Sequence, residues 1–288
     1  MSTNLTDANR EWMRRPADER YETLAALDAA VSGRKAQSRS FAGAPQRLQV
    51  SSSDGAVIIR AGEYDMRPTH YGFGQLAQLA GAPAAYIRSL PAELAAANLG
   101  HGLSRTETGD RDGRVKLLAT FDGAEQLPSL RAITSTSYGR IWDADVTAAL
   151  VRIVERHPEF HNPKDWSGKP SGLYASDHDV FAFLVDGGSV VEEPDGFGHR
   201  PSQLHRGFFV RNSETGAGLF ELCFFLFRVV CGNHIIWDAE NVTRFRIRHN
   251  RLAPEHFDRE AFPAIRRYVT AAEAGTVDMI RKAQAYML

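Results

Sequence analysis

The chain has 288 residues, 43% of them hydrophobic and 24% charged, and its formal net charge at pH 7 is -1. These are ordinary values for a globular protein, and they exclude a chain that is basic throughout, although a basic surface can still be local. No apolar run approaches the roughly 18 residues of a membrane span, and the polar N-terminus lacks the apolar region of a signal peptide. We therefore expect a cytoplasmic protein with no membrane partner.

The N-terminal region is predicted to be helical. Apolar residues between Tyr21 and Val31 recur at helical spacing, and Gly33 is placed to end the helix. The basic stretch "GRKAQSRSFAGAPQ" that follows is rich in small residues and predicts a linker. We expect residues 1–40 to form a helix and basic linker, and residues 41–288 to form a single domain.

Turn residues and apolar periodicity predict the elements that follow. "RLQVSSSDGAVIIRAG" predicts a hairpin, because Asp54 and Gly55 suit the positive φ of a tight turn. Residues 71–103 are alanine-rich and broken by glycine and proline, which predicts three short helices. One later helix, "DADVTAALVRIVERH", and a helical region over residues 254–286 are also predicted. The remaining strands are "RVKLLATFDG", "PSLRAITSTSYGRIW", "SDHDVFAFLVDGG", "LHRGFFVRNSETG", "LFELCFFLFRVVCGN" and "VTRFRIRHN".

Sequential strands joined by short turns predict an α+β fold. In such a fold the sheet is mainly antiparallel, and the helices are segregated to one side or end of it. Here an N-terminal helical extension precedes the domain.

Two motifs near residue 75 are weighed against simpler interpretations. "GFGQLA" has the letters of a dinucleotide-binding fingerprint, but no strand precedes it and no βαβ pattern follows. "QLAQLAGAPAAYIRSL" is similar to a helix-turn-helix, with Ala77, Gly81 and Ile87 at the small, turn and core positions. Its second helix would expose few hydrogen-bonding side chains, so we expect a packed helical corner.

Asp177 and Asp179 are the residues that a metal-assisted hydrolase would use. In a strand they share a face, while His178 points the other way, so the three cannot bind one ion without a bend. No HExxH or CxxC motif is present. We predict no metal site and no cofactor.

The two cysteines, Cys223 and Cys231, lie in one apolar run. In a single strand they would be roughly 26 Å apart, which is too far for a disulfide. Cys231, His234 and Asp238 could be drawn as a catalytic set, but a reactive thiol needs an accessible, electropositive setting. Buried reduced thiols are the prediction, and no catalytic residue is assigned.

Three motifs resemble one family. "RAITSTSYGRIWDADV", "VRNSETGAG" and "FRVVCGN" are similar to the uncharacterised phage/plasmid-like protein family, domain of unknown function 932. The likeness runs from about residue 71 to about residue 286. Because the family has no settled activity, the resemblance implies no catalytic residue. It implies a cytoplasmic protein of mobile-element ancestry, a class that often acts on DNA. The motif residues are Asn212, Ser213, Glu214, Gly216, Arg228, Cys231 and Asn233.

Arg228 lies inside an otherwise apolar run. Burial of a guanidinium is costly without a partner. Either Arg228 pairs with a carboxylate such as Glu221 or Asp238, or its face is a binding surface.

"VTRFRIRHNR" places arginine at every second position, so a strand would turn these side chains to one side. Arginines of neighbouring strands could extend the row, with Tyr138, Phe208 or Trp142 nearby for base stacking. Alternatively, Glu240, Glu214, Asp258 and Glu260 neutralise the row as surface pairs. The predicted nucleic-acid-binding residues are Arg206, Arg211, Arg244, Arg246, Arg248, Tyr138 and Arg140.

The leading hypothesis is thus a mobile-element protein that binds nucleic acid, with single-stranded DNA favoured, in recombination or replication. A metal-assisted hydrolase is the first alternative. A non-catalytic interaction or host-defence-evasion factor is the second, and it could assemble as a homo-oligomer through an open sheet edge.

Overall fold

The computed structural model describes residues 14–107, 113–121, 123, 127–164, 168–188, 191–193, 202–230 and 235–271. Of residues 191–193, 202–204, 226–230 and 235–243 it describes the backbone. The α-helices are α1 Leu24–Ala36, α2 His70–Leu79, α3 Ala84–Ser89, α4 Ala92–Ser104, α5 Asp143–Val154, α6 Ala253–His256 and α7 Phe262–Thr270. A π-helical turn, Phe257–Ala261, joins α6 to α7.

The strands form two sheets. They are β1 Ser38–Gly43, β2 Gln49–Ser53, β3 Ala56–Ala61, β4 Tyr64–Pro68, β5 Val115–Thr120, β6 Ser129–Ser135, β7 Phe160–His161, β8 Leu173–Ala175, β9 Val180–Asp186, β10 Val191–Glu193, β11 Ser202–Asn212, β12 Phe220–Val230 and β13 Ile235–Ile247. All pairs are antiparallel except β4 with β6. The predicted α+β class is confirmed.

The chain divides into two compact units. The small unit comprises Ser32–Arg140 and Glu214–Ala217, and the large unit comprises Met1–Val31, Ile141–Ser213 and Gly218–Leu288. This division differs from the predicted one, a terminal segment followed by a single domain. The chain therefore enters the small unit twice, the second time for only four residues of the "NSETGAG" motif.

The small unit is built on a six-stranded sheet in the order β1-β5-β6-β4-β3-β2. Its edge strand β1 occupies much of the stretch predicted as a linker, so that prediction is wrong. Backbone pairing with β5 holds β1 in place, and Phe41 packs against the core with its ring 6.0 Å from that of Tyr64. Sequence periodicity missed β1 because its other side chains are small or exposed.

The predicted hairpin and the three short helices of the small unit are confirmed. Asp54 and Gly55 have φ of 52° and 72° and link β2 to β3. Gly81, with φ of 66°, turns the chain between α2 and α3, while Ala77 and Ile87 are buried. Arg88 donates to the carbonyl of His70 rather than projecting from the second helix. The sequence that is similar to a helix-turn-helix thus forms the packed helical corner that we expected.

The large unit is built on a seven-stranded sheet whose main path runs β13-β12-β11-β9-β7, with β10 and β8 pairing β11 and β9. One face of this sheet packs into the core with α1, α5 and the C-terminal helices. Phe208, Phe220 and Leu222 are fully buried there, and the Tyr268 hydroxyl donates to two strand carbonyls. The opposite face carries the candidate site. Within the part of the chain described here, no helix has the length and apolar character to cross a membrane.

Candidate nucleic-acid interface

Two cross-strand rows define a surface on the seven-stranded sheet. Arg211 of β11 lies opposite Glu221 of β12, which lies opposite Arg246 of β13. The adjacent row runs Phe209, Cys223, Arg244. Residues that face each other across antiparallel strands project to the same side. We call this surface the basic face, with the residues Arg211, Arg244, Arg246, Glu221, Phe209 and Cys223.

A single carboxylate serves two arginines of the basic face. Arg246 donates from Nε and Nη2 to Glu221 Oε1 at 3.0 and 2.9 Å, and Arg244 Nη1 lies 3.9 Å from the same oxygen. The Arg246 side chain is 53% exposed and that of Arg244 24%. Exposed pairs of this kind contribute about 0 to 1 kcal/mol, so the guanidinium groups can exchange Glu221 for another anion at little cost.

Carboxylates other than the one at Glu221 were predicted to neutralise the arginine row. Glu214 lies in the small unit, bound to Arg131, and Glu260 contacts His256 at 2.5 Å. The side chain of Glu240 lies outside the described residues. Among the described side chains, the carboxylate that contacts Arg244 and Arg246 is instead that of Glu221.

Arg211 is anchored at the other end of its row by Asp179. The Arg211 Nη2 atom lies 3.3 Å from Asp179 Oδ2, and the Arg211 side chain remains 47% exposed. Arg15 binds the same carboxylate through two hydrogen bonds of 3.0 and 2.9 Å. Burial lowers the pKa of Arg15, but the charges of Asp179 and Tyr174 and the hydrogen bonds to Asp179 and Glu19 together outweigh this effect and raise it. Asp179 thus fixes two guanidinium groups beside the basic face.

The same contacts argue against Asp179, a weak candidate from the sequence, as a metal ligand. Both of its oxygens accept from arginine, and Ser176 Oγ donates to Oδ1 at 2.5 Å. Asp177 instead contacts His178 Nδ1 at 2.6 Å, and this hydrogen bond raises the pKa of His178. Among the residues that the structure describes, no group of three or more His, Cys, Asp or Glu side chains could hold a metal. Both oxygens of Asp179 are thus occupied by hydrogen bonds from Arg15 and are not available to a metal ion.

Phenylalanines cover the middle of the same sheet face. Phe181 and Phe183 of β9 lie opposite Arg211 and Phe209 in the register. The Phe209 ring lies 5.5 Å from Phe181 and 6.4 Å from Phe225, and the Phe183 ring lies 5.4 Å from Phe225. Phe183 and Phe209 are half-buried, whereas Phe181 and Phe225 are buried. Half-buried rings beside arginines provide flat surfaces on which bases can stack.

Cys223 is a structural thiol in this surface. It is 2% exposed, and burial raises its pKa to about 12 despite the nearby charge of Arg244. A thiol with so high a pKa is a poor nucleophile at neutral pH. Burial of Cys223 confirms the prediction for this cysteine. Cys231 and the residues His234 and Asn233 lie outside the described part of the chain.

Arg206 is not part of the basic face, which corrects its predicted role. It is 7% exposed and donates from Nε to Asp186 at 2.7 Å and from Nη1 to the carbonyl of Ala271 at 2.7 Å. Its guanidinium lies 5.1 Å from the centre of the Phe160 ring. Arg206 and Arg211 differ by five positions, an odd number, so they project to opposite faces of β11.

The remaining side chains predicted to bind or stack on nucleic acid lie at different places in the structure. Arg248 is exposed and lies one residue beyond the end of β13. Phe208, proposed for stacking, is fully buried in the core and cannot contact a base. Tyr138 and Arg140 belong to the small unit, where the Arg140 guanidinium lies 5.5 Å from the Tyr138 ring centre. Trp142 precedes α5 in the large unit and is half-buried.

The family motif residues at 212 and 213 are buried and hold the large unit together. Asn212 donates from Nδ2 to the carbonyl of Ile141 at 2.9 Å and to Asp143 at 2.7 Å. The Ser213 hydroxyl donates to the carbonyl of His178 at 2.6 Å. These bonds join the end of β11 to the start of α5 and to the turn before β9, so both residues are structural.

The next motif residues, Glu214 and Gly216, belong to a turn of the small unit in which Glu214 is buried and Gly216 is exposed. Glu214 accepts from Arg131 Nη1 at 2.5 Å, and their side chains are 2% and 3% exposed. Gln75 donates to the carbonyl of Thr215 and accepts from a β6 amide. Gly216 has φ of 95°, a conformation that favours glycine. Glu214 and Gly216 therefore belong to a turn outside the basic face, whereas the same motif contributes Arg211 to that face.

The side chain of Arg228 lies outside the described residues, although its backbone pairs with Leu204. Of the two carboxylates predicted as its partner, Glu221 is bound to Arg246, and the side chain of Asp238 lies outside the described residues.

Arg15, Phe183 and Phe209 belong to the site or support it, but sequence reasoning did not select them. Arg15 is separated from Asp179 by 164 residues, and no sequence pattern connects the two. Strand alternation could have indicated Phe209, since it lies two residues before Arg211 and therefore on the same face.

The basic face falls within a segment that a protein-family model matches. Comparison with curated proteins and with solved structures found no match. A family model described as domain of unknown function (DUF932) matches residues 173–283. The match includes "VRNSETGAG" and "FRVVCGN", whereas "RAITSTSYGRIWDADV" lies before it. The resemblance predicted from the motifs is therefore confirmed over residues 173–283, where the chain is similar to this family of unknown function.

Proposed function

We propose that the protein binds nucleic acid through the basic face and prefers single-stranded DNA. The observation that carries this proposal is the grouping of Arg211, Arg244 and Arg246 on one sheet face beside Phe209. Arginines neutralise backbone phosphates, and aromatic rings stack with unpaired bases without sequence preference.

The charge balance of the surface supports an anionic ligand. Among the described side chains, three arginines share the face with one carboxylate, that of Glu221, while the buried Asp179 pairs with Arg211 and Arg15. Arg211 and Arg246 project about half of their side chains into solvent, so a phosphate can reach them. A bound phosphate would replace the weak exposed pair with Glu221 by charge-assisted hydrogen bonds.

The strand preference follows from the aromatic rings. Bases in a duplex are already stacked on each other, so only an unpaired strand can place a base on Phe209 or Phe183. We propose that the DNA belongs to a mobile element, as the phage/plasmid-like character of the motifs implies, and that the protein acts in the cytoplasm during recombination or replication. Assembly into a homo-oligomer stays a prediction.

The test is fluorescence anisotropy with labelled single-stranded and double-stranded oligonucleotides of the same sequence. The wild type is expected to bind the single strand more tightly. The triple variant Arg211→Ala, Arg244→Ala, Arg246→Ala should lose at least about a hundredfold in affinity, because each charged hydrogen bond contributes about 1.5 kcal/mol or more.

A matched control removes the same charge elsewhere in the large unit. Arg259, Arg266 and Arg267 are exposed arginines of the C-terminal helical segment, and their triple alanine variant should bind almost as tightly as the wild type. Equal losses in the two triple variants would show non-specific attraction, and no binding by the wild type would reject the function. Phe209→Leu should weaken single-strand binding more than duplex binding, because leucine keeps apolar contact and removes the ring.

A further inference from the structure

The N-terminal segment, residues 14–22, lies against strand β8 of the large unit. Arg20 pairs with Tyr174 of β8 in an antiparallel bridge, and the Tyr21 amide donates to the carbonyl of Leu173 at 3.0 Å. This segment lies outside the part of the chain that the family model matches. Backbone pairing therefore carries residues from outside the matched part to the neighbourhood of the basic face.

Arg15 of this segment is held firmly by its surroundings. Its guanidinium lies 4.3 Å from the centre of the Tyr174 ring, whose face attracts a cation. It donates to Glu19 at 3.3 Å and forms two hydrogen bonds of 3.0 and 2.9 Å with the buried carboxylate of Asp179. Because the Arg15 side chain is 11% exposed, it has little surface to offer a ligand directly.

Arg211 shares the carboxylate of Asp179 but is held by it less tightly. Its Nη2 atom lies 3.3 Å from Asp179 Oδ2, and its side chain is 47% exposed. Asp179 Oδ1 accepts from Ser176 Oγ as well as from Arg15, whereas the His178 Nε2 atom lies 3.6 Å away, beyond hydrogen-bond distance. One carboxylate thus serves two guanidinium groups, and Arg15 makes the shorter and more numerous bonds to it.

We propose that Arg15 is a positioning residue of the basic face: by occupying Asp179, it leaves Arg211 available to phosphate. Without Arg15, Arg211 is the remaining guanidinium partner of Asp179 among the described side chains, and a buried carboxylate strongly favours such a partner. Arg211 would then turn to Asp179 in a bidentate pair, which guanidinium and carboxylate groups prefer, and would be withdrawn from the ligand. The effect on DNA rests on the proposed function of the basic face, whereas the pairing of Arg211 can be measured without nucleic acid.

The experiment applies two readouts to the full chain. Phenylglyoxal modifies accessible guanidinium groups, and peptide mass spectrometry follows the rate of this modification at Arg211; fluorescence anisotropy measures affinity for single-stranded DNA. In Arg15→Gln both the rate at Arg211 and the affinity should fall about tenfold, the factor that one additional charged hydrogen bond from Arg211 to Asp179 gives. The rate at Arg246, which pairs with Glu221 instead, should stay unchanged and serves as an internal reference.

Two further variants separate positioning from a general loss of structure. Arg14→Gln removes the same charge from an exposed position of the same segment and should leave both readouts within about twofold of the wild type. The double variant Arg15→Gln, Asp179→Asn also removes the carboxylate that would capture Arg211, so the rate at Arg211 should return at least to the wild-type value. A purely structural role of Arg15 would not be rescued by a second substitution at a buried site.

Circular dichroism verifies that each variant is folded, and the comparison of Arg15→Gln with Arg14→Gln decides the outcome if the double variant is not. The positioning role is overturned if Arg15→Gln modifies at Arg211 as fast as Arg14→Gln, even when it binds DNA more weakly, since Arg15 would then contact the ligand itself. It is also overturned if a folded double variant stays as unreactive at Arg211 as Arg15→Gln. Absence of DNA binding by the wild type would reject the proposed function, while the rates at Arg211 would still decide the role of Arg15.

Discussion

Two arginine–glutamate pairs in this protein have the same chemistry and opposite environments. Arg131 and Glu214 are 3% and 2% exposed, whereas Arg246 and Glu221 are 53% and 20% exposed. The first pair is enclosed within the small unit and neutralises charges that would otherwise be buried. The second lies at the surface of the large unit and can open toward a ligand. Solvent exposure, rather than residue type, therefore distinguishes an ion pair that stabilises the fold from one that can bind a ligand.

The largest expected effect is on the buried pair. Glu214→Gln leaves the Arg131 guanidinium buried without its carboxylate, which costs about 3–5 kcal/mol of unfolding free energy. Urea denaturation followed by circular dichroism measures this loss. Glu221→Gln is the matched substitution at the exposed pair and should cost about 0 to 1 kcal/mol. Equal losses would contradict the comparison.

A second prediction concerns the turn that carries Glu214. Gly216 has φ of 95°, so Gly216→Ala introduces backbone strain of about 1–2 kcal/mol. The space around a new Cβ atom is adequate, since its nearest neighbours lie 3.5 Å away. Thermal unfolding should show the loss, and Gly218→Ala is the control because its Cβ would contact nothing within 4 Å. A Gly216→Ala protein as stable as the control would refute the strain.

At the exposed pair of Arg246 and Glu221, loss of the carboxylate should strengthen DNA binding. Glu221→Gln removes the carboxylate that competes with phosphate for Arg246 and Arg244, and so should raise affinity for single-stranded DNA by up to about fivefold, or about 1 kcal/mol. Anisotropy titration at low salt measures this gain. A loss of affinity would mean that Glu221 positions the arginines for binding instead of competing with the ligand.

The smallest expected effect is a pH dependence at His178. Its hydrogen bond to Asp177 raises its pKa above the unfolded value, so the stabilisation is fully present below about pH 6.5 and is lost as pH rises through the folded pKa. Relative to His178→Gln, the wild type should be more stable at pH 6 than at pH 9 by at most about 1 kcal/mol. Urea titrations of both proteins at the two pH values test this. A pH-independent difference would exclude the protonated pair.

Local patterns predicted much of the fold. Asp54 and Gly55 indicated the hairpin, and the glycine and proline breaks indicated the three helices of the small unit. The strand β1 was missed because it depends on pairing with β5, some 75 residues away, rather than on its own apolar pattern. The two-unit division was missed for the same reason, since the chain returns to the small unit at Glu214 through contacts with distant residues.

The candidate site was predicted only in part. The alternation of Arg244 and Arg246 is a local signal, and Arg211 joins them because β12 pairs with both neighbouring strands. Arg206 was misassigned although strand parity alone separates it from Arg211. The pairing of Arg15 with Asp179 could not be predicted, because it joins residues far apart in the chain without any repeating pattern.

The most direct test of the basic face is the salt dependence of single-strand binding. Each phosphate contact contributes about 0.7 to the slope of log affinity against log salt concentration. The triple variant at Arg211, Arg244 and Arg246 should therefore reduce the magnitude of the slope by about 2, whereas the variant at Arg259, Arg266 and Arg267 should leave it unchanged. An identical slope for the wild type and the basic-face variant would contradict the account, because it would mean that these arginines contact no phosphate.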